Sequence, residues 1–283
     1  MRSRSGPAVL LAVLCLLACG MTAPAEVAAP APGTVPVGQR ALYSNVYVQT
    51  SAEYRACCLT IYTCAARQLE SRLASMVEPP ERPAVVMDLD ETVLDNAPFQ
   101  TFLYVNDLEY TPKLWAEFER QGIADAELVP GAGEFIRRAE ELGVTVVYLS
   151  NRNERNLVAT RETLVRLGLN ADGLTDRLYL KPDGASSSKS PRRDAVEARY
   201  NVLMYFGDNL RDFSENFSVP GLSEEPSTDE YLAAIQARKD AVAESDCHWG
   251  VDWFVLPNPI YGEWEKLVPD EPATVLRHRG QAE

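Results

Sequence analysis

Two carboxylates standing two residues apart close an apolar run. Ala84-Val85-Val86-Met87 leads directly into Asp88-Leu89-Asp90. In extended chain, residues i and i+2 project to the same side. Carboxylates placed that way raise each other's pKa unless a cation lies between them. The pair therefore suits a metal site in which Asp88 is both ligand and nucleophile, and Asp90 carries a proton. Thr92 is placed to hydrogen-bond the turn that fixes Asp90. Taken alone, Asp-x-Asp reads first as a polar turn after a strand. A second acidic pair, Asp208 and Asp212, lies in Gly207-Asp208-Asn209-Leu210-Arg211-Asp212-Phe213. Four residues apart, the two share a face if a helix starts there, although single carboxylates at such places are more often helix caps.

The elements that must position these groups are legible as alternating apolar runs. Residues 42–77 carry apolar positions at three- and four-residue intervals (Val46, Ala52, Ala56, Leu59, Tyr62, Ala66, Leu69, Leu73), a helical period. Pro79, Pro80 and Pro83 end that helix before the strand 84–87, a continuous apolar run of the kind buried on both faces of a parallel sheet. Further strands are predicted at 144–149, 178–180, 202–206 and 253–256, with helices at 156–167 and 191–200. This alternation implies an α/β doubly wound fold. Polar residues cluster after the strands, at the edge where open α/β sheets bind ligands. Residues 96–130 interrupt the pattern with Phe99, Phe102, Tyr104, Tyr110, Trp115 and Phe118. They are read as a mainly helical cap insertion; a helix packed on the sheet edge accounts for the pattern equally well.

The full string Val85-Val86-Met87-Asp88-Leu89-Asp90-Glu91-Thr92 is similar to the hhhDxDxT signature of the haloacid dehalogenase-like superfamily. The superfamily's other motifs follow in order: Ser150 in Tyr148-Leu149-Ser150-Asn151-Arg152, Lys189 at the start of a helix in Lys189-Ser190-Pro191-Arg192, and the pair Asp208 and Asp212. Lys181 competes with Lys189 for the lysine role, and position favours Lys189. More narrowly, Asp88-Leu89-Asp90-Glu91-Thr92, Ser150-Asn151-Arg152 and Gly207-Asp208-Asn209-Leu210 resemble class C bacterial acid phosphatases. So do Ser51-Ala52-Glu53-Tyr54-Arg55-Ala56 near the start and Phe254-Val255-Leu256-Pro257-Asn258-Pro259-x-Tyr261-Gly262 near the end. The likeness spans residues 42–267. One departure is that Tyr43 or Tyr47 stands where that family commonly has a tryptophan.

The resemblance implies a Rossmann-like sheet and a Mg²⁺-dependent acid phosphatase acting on small phosphomonoesters, some family members being 5′-nucleotidases. It implies Asp88 as nucleophile, Asp90 as acid and base, and metal held by the Asp88 side chain, the Asp90 carbonyl and Asp208. Ser150, Asn151 and Lys189 would bind the phosphate, with Asp212 orienting Lys189 or metal-bound water. Tyr261, Trp115 and Tyr47 are candidates to stack on a nucleobase or aromatic leaving group, and ordinary packing accounts for them as well. A non-catalytic surface protein is disfavoured by the presence of both Asp88 and Asp90. A phosphotransferase would share the same first step and differ only in acceptor.

Composition sets the remaining bounds. The chain has 283 residues, 46% of them hydrophobic, and a formal net charge of −14. Such a charge argues against a nucleic-acid polymer as partner, since a polyanion needs a basic face. Residues 1–18 read as a signal peptide, with Arg2 and Arg4 ahead of an apolar run from Pro7 to Ala18. At 1.5 Å per residue that run reaches about 18 Å, short of the roughly 30 Å of a bilayer core. Leu16-Leu17-Ala18-Cys19 resembles the lipobox of bacterial lipoproteins, so Cys19 is expected to carry a lipid that anchors the exported protein to a membrane. Without lipidation the protein would be periplasmic or secreted. Residues 19–40, rich in Ala and Pro, read as a tether, residues 41–268 as the phosphatase domain, and the tail from 269 as loose. A homodimer is left open. Cys57 and Cys64 are too far apart on one helix to bridge, and pairing with Cys247 stays open. His248 reads as structural.

Overall fold

The computed structural model describes residues 41–78, 80–122 and 125–277; the signal segment, Cys19 and the tether lie outside the described residues. Five strands form one parallel sheet: β1 (Pro83–Met87), β4 (Thr145–Asn153), β5 (Leu178–Lys181), β6 (Asn201–Gly207) and β7 (Trp253–Val255). Their order is β5-β4-β1-β6-β7. From the central β1 the chain runs outward through β4 to β5, then returns to the other side of β1 through β6 to β7. The direction of winding therefore reverses at the carboxyl end of β1, the position where open α/β sheets bind ligands.

Both faces of β1 are covered. Val85 and Met87 belong to one core with Tyr62, Phe135 and Phe206; Ala84 and Val86 belong to a second with Val147, Leu149 and Val196. This is why the strand reads as an unbroken apolar run instead of an alternating one.

The helix expected over 42–77 is two helices, α1 (Leu42–Thr50) and α2 (Ala52–Ser75). Ser51 between them is extended, and its side chain accepts a hydrogen bond from the Tyr54 N–H at 3.0 Å, capping α2. The buried stripe of α2 is Tyr54, Cys58, Tyr62, Ala65 and Leu69, whereas Val46 and Leu59 from the predicted stripe are exposed. Tyr62 reaches furthest, donating its hydroxyl hydrogen bond to the Thr92 carbonyl at 2.6 Å. Cys57, Cys58, Cys64 and Cys247 are all free thiols.

After β1 come β2 (Leu94–Asp95), α3 (Ala97–Val105), α4 (Pro112–Gln121) and β3 (Glu127–Leu128). β2 and β3 pair antiparallel, so the excursion leaves and rejoins the fold at one root. Phe99, Trp115 and Phe118 pack together above it, with ring centroids 4.8 to 5.5 Å apart. The chain then forms α5 (Ala132–Glu141), α6 (Leu157–Arg166), α7 (Ser190–Glu197) and α8 (Thr228–Glu244). Sequence periodicity did not pick out α5 or α8. The start of α8 carries a capping box, Ser227 with Glu230. Beyond Asp270, where a loose tail was expected, Pro272–Val275 makes a short 3₁₀ turn. No helix among the described residues is long and apolar enough to cross a membrane.

Candidate active site

Asp88 is the first residue past β1, and its N–H still donates to the Phe206 carbonyl of β6 at 2.9 Å. The loop that follows is pinned by its own backbone. Leu89 carbonyl accepts from Val93 N–H at 2.8 Å and Leu94 N–H at 2.7 Å, and Glu91 N–H donates to the Leu94 carbonyl at 2.8 Å. Closing so tight a loop places Glu91 at φ +55°, a left-handed conformation that costs a non-glycine residue about 1–2 kcal/mol. Thr92 does not fix the turn with its hydroxyl, as expected; that oxygen is buried without a hydrogen-bond partner among the described residues. The main chain makes the bonds instead.

Glu91 holds the loop by its side chain. Its Oε1 accepts from Asn96 N–H at 3.0 Å, and its Oε2 accepts from the Tyr261 hydroxyl. Burial first, then the charges of Asp90 and Asp208, hold its carboxyl well above the usual range. Tyr261, expected on the substrate, thus has its hydroxyl engaged with the catalytic loop, which leaves its ring as the part available for stacking.

Lys189 is the residue just before α7 and is buried. Its Nζ lies 2.6 Å from Asp88 Oδ1 and 2.7 Å from Asp212 Oδ1. Desolvation opposes its charge, but Asp212 and Asp88 outweigh that and raise its pKa. Lys181 ends β5 opposite Asn153, so of the two candidates it is Lys189 that reaches Asp88. Burial, followed by Asp212 and Asp90, pushes the Asp88 carboxyl up to about 7 against the pull of Lys189.

Asp208 follows β6, and Asp212 closes a 3₁₀ turn (Leu210–Asp212) capped by Asn209. Carboxylate oxygens of Asp88, Asp208 and Asp212 lie within 4.8 Å of one another. Burial, then Asp212 and Asp88, raise the Asp208 pKa well above its usual value. Three clustered carboxylates against one ammonium leave a surplus of negative charge, and their hard oxygens match a small divalent cation. Asp212 thus stands in the carboxylate group as well as on Lys189. Gly207 makes this possible, because a Cβ there would lie 2.3 to 2.7 Å from Asp212 side-chain atoms.

Asp90 points elsewhere. Its Oδ1 accepts from Arg152 Nε at 2.9 Å and Nη2 at 2.8 Å, and from Asn96 Nδ2 at 2.9 Å. Its Oδ2 meets Ser150 Oγ at 3.4 Å. Arg152 is buried, with Trp115 lying over its guanidinium at 5.7 Å from the ring centroid. Trp115 therefore covers the partner of Asp90. The Asn151 amide donates to the Ser187 carbonyl at 3.1 Å and its Oδ1 accepts from Arg192 Nη2 at 2.6 Å. That side chain joins two loops beside Ser150. Tyr47, at 40% exposure, packs edge-on against Tyr54. His248 stacks on Trp253 at 4.2 Å and bonds Asp252.

Residues 20–264 match the HAD superfamily, subfamily IIIB (acid phosphatase). The chain belongs to that family. It is similar at 31% identity to the crystal structure of class C acid phosphatase from Bacillus anthracis with tungstate bound, over 84% of this chain and 91% of that one, with a TM-score of 0.70. A second structure of the Bacillus anthracis enzyme matches at 31% identity over 82% and 89%, with a TM-score of 0.67. This HAD acid phosphatase is accordingly a phosphomonoesterase on an α/β fold. Phosphatases of the superfamily generally use a divalent metal, in keeping with the acidic cluster.

Sequence reasoning missed Arg152 and Asn96 as partners of Asp90, and Glu91 as the clamp of the loop. Arg152 was visible as part of Ser150-Asn151-Arg152. Nothing local marks Glu91, whose partner Tyr261 is 170 residues away.

Proposed function

We propose that this acid phosphatase is Mg²⁺-dependent and cleaves phosphomonoesters, with nucleoside 5′-monophosphates among its substrates, through an aspartyl-phosphate on Asp88. The observation that carries the reading is Lys189, buried between Asp88 and Asp212 at 2.6 and 2.7 Å beside Asp208. A carboxylate nucleophile repels a phosphate dianion, and a fixed ammonium at its elbow offsets that repulsion. Asp88, Asp208 and the Asp90 carbonyl would hold Mg²⁺, which would add positive charge at the same point. The tungstate bound in the Bacillus anthracis enzyme, a tetrahedral oxyanion shaped like phosphate, supports an oxyanion site in this fold.

Asp88 attacks phosphorus as the bond to the leaving oxygen breaks, and Asp90 gives that oxygen a proton. Arg152 and Asn96 occupy Oδ1 of Asp90, so Oδ2 is the oxygen that carries the proton. Asp90 then takes a proton from the water that hydrolyses the aspartyl-phosphate, releasing inorganic phosphate and restoring both carboxyl groups. Lys189 and Ser150 hold the equatorial oxygens of the transferring group, and Asp212 fixes Lys189. Trp115 and the ring of Tyr261 offer stacking surfaces for a base.

The test is hydrolysis of p-nitrophenyl phosphate and of nucleoside 5′-monophosphates beside sugar phosphates, each with Mg²⁺ and with EDTA. Activity that persists in EDTA would overturn the metal requirement, and rejection of every nucleotide would overturn the substrate class. The Leu-Ala-Cys19 sequence supports export with a lipid anchor; a Cys19→Ala precursor that still incorporates palmitate would refute it.

A further inference from the structure

The segment after β7, which supplies Tyr261, touches the site at a second point through Asn258. Nδ2 of Asn258 donates to Asp208 Oδ2 at 2.8 Å. Its Oδ1 accepts from the N–H groups of Ile260 at 3.0 Å and Tyr261 at 3.3 Å. The two acceptor bonds fix which end of the amide faces which way: an oxygen turned toward Asp208 would set two acceptors against each other and leave two backbone donors without partners. Asn258 is thus locked as a donor. The lock is itself anchored, since Leu256 N–H donates to the Gly207 carbonyl at 2.9 Å and Tyr261 donates to Glu91. β6 delivers Asp208, β7 delivers Asn258, and the two strands are in register side by side.

We infer that Asn258 is a positioning residue for Asp208: it holds one carboxylate oxygen and thereby presents the other to the divalent metal. This inference rests on the reading of Asp208 as a metal ligand. A carboxylate tethered at one oxygen loses much of its freedom to rotate. A single oxygen is then aimed at the cation. Losing such a partner behind a metal ligand typically lowers metal affinity by about 10- to 100-fold.

Isothermal titration of Mg²⁺ into the metal-free protein tests this without recourse to turnover, using wild type, Asn258→Ala and Asp208→Asn. The expected result is a dissociation constant raised about tenfold or more in Asn258→Ala and no measurable binding in Asp208→Asn. If Asn258→Ala binds Mg²⁺ within twofold of wild type while Asp208→Asn has lost it, the positioning role is overturned and the ligand assignment stands. If Asp208→Asn binds like wild type, the ligand assignment itself falls. Should Asn258→Ala not fold, Asn258→Ser is measured against the same limits. The melting temperature of each metal-free variant separates the two roles. A residue that merely held the loop would lower that temperature and leave the Mg²⁺-induced rise unchanged; a positioning residue shrinks the rise.

Discussion

Lys189 Nζ lies 2.6 Å from Asp88 Oδ1, and both side chains are almost wholly removed from water. A buried ion pair of this kind is costly to break from either side, because the survivor is left charged and unpaired. Lys189→Met should destabilise the metal-free protein by about 3–5 kcal/mol, read by chemical denaturation in EDTA, and should abolish turnover. Asp88→Asn should cost activity by on the order of 10⁴-fold or more with the far-ultraviolet circular dichroism unchanged. Full activity in Asp88→Asn would remove it as nucleophile.

The raised pKa of Asp88 sets the sign of a pH effect. Its folded value of about 7 lies above the ordinary 3.8, so between those values the folded state holds the extra proton. Stability from this group is present below pH 4 and is lost as pH rises toward 7. Mg²⁺ demands the ionised form and offsets the loss. The rise in melting temperature on adding Mg²⁺ should therefore be larger at pH 7.5 than at pH 5. An equal rise at both would contradict the assignment.

Arg152 gives a prediction that depends on the leaving group. With Oδ1 of Asp90 tied to its guanidinium, Arg152→Met should misalign the proton donor. Hydrolysis of an alkyl phosphate, whose leaving oxygen needs that proton, should fall about a hundredfold. Hydrolysis of p-nitrophenyl phosphate should fall much less. Arg152→Lys should rescue little, since a single ammonium cannot reproduce a forked contact. Equal losses on both substrates would assign Arg152 to structure alone.

Gly207→Ala places one methyl group within 2.3 to 2.7 Å of the Asp212 side chain. Asp212 must then swing away from Lys189, and kcat should drop steeply while overpacking costs about 1–3 kcal/mol. Steady-state kinetics beside a melting curve measure both.

Tyr261→Phe removes the hydroxyl from a buried carboxyl that also supports a left-handed residue. The expected cost is about 1–3 kcal/mol, seen in thermal denaturation. A KM for nucleotides that stays the same would separate this clamp from any contribution of the ring to stacking.

The strand and the side chains that gather at its end are legible in the sequence. Val85 to Asp90 announced both the strand and its carboxylates because a strand buried on two faces must be apolar until it stops, and the polar residues that follow stand at the sheet's edge. Lys189 was legible from Pro191 in the first turn behind it. The losses have a common cause, which is that side-chain partnership over long separations leaves no local trace. The partners of Asn151, Arg192 and the Ser187 carbonyl, lie 41 and 36 residues away and could not be read from its position. Helix α8 was missed because its exposed face and weak apolar stripe resemble a polar linker, with Ala234 its one buried residue.

The sheet order has a consequence for when the enzyme comes to exist. Asp88 and Lys189 are 101 residues apart, Asp208 and Asn258 are 50 apart, and Glu91 and Tyr261 are 170 apart. No early fragment of the chain holds a working subset, because the central strand is made first and its flanking partner β6 late. Asp88 has Lys189 to face once 101 further residues are made, but Asp208, Asn258 and Tyr261 come later still. The complete constellation can therefore assemble only after the last strand of the sheet, β7, and the segment behind it have been made.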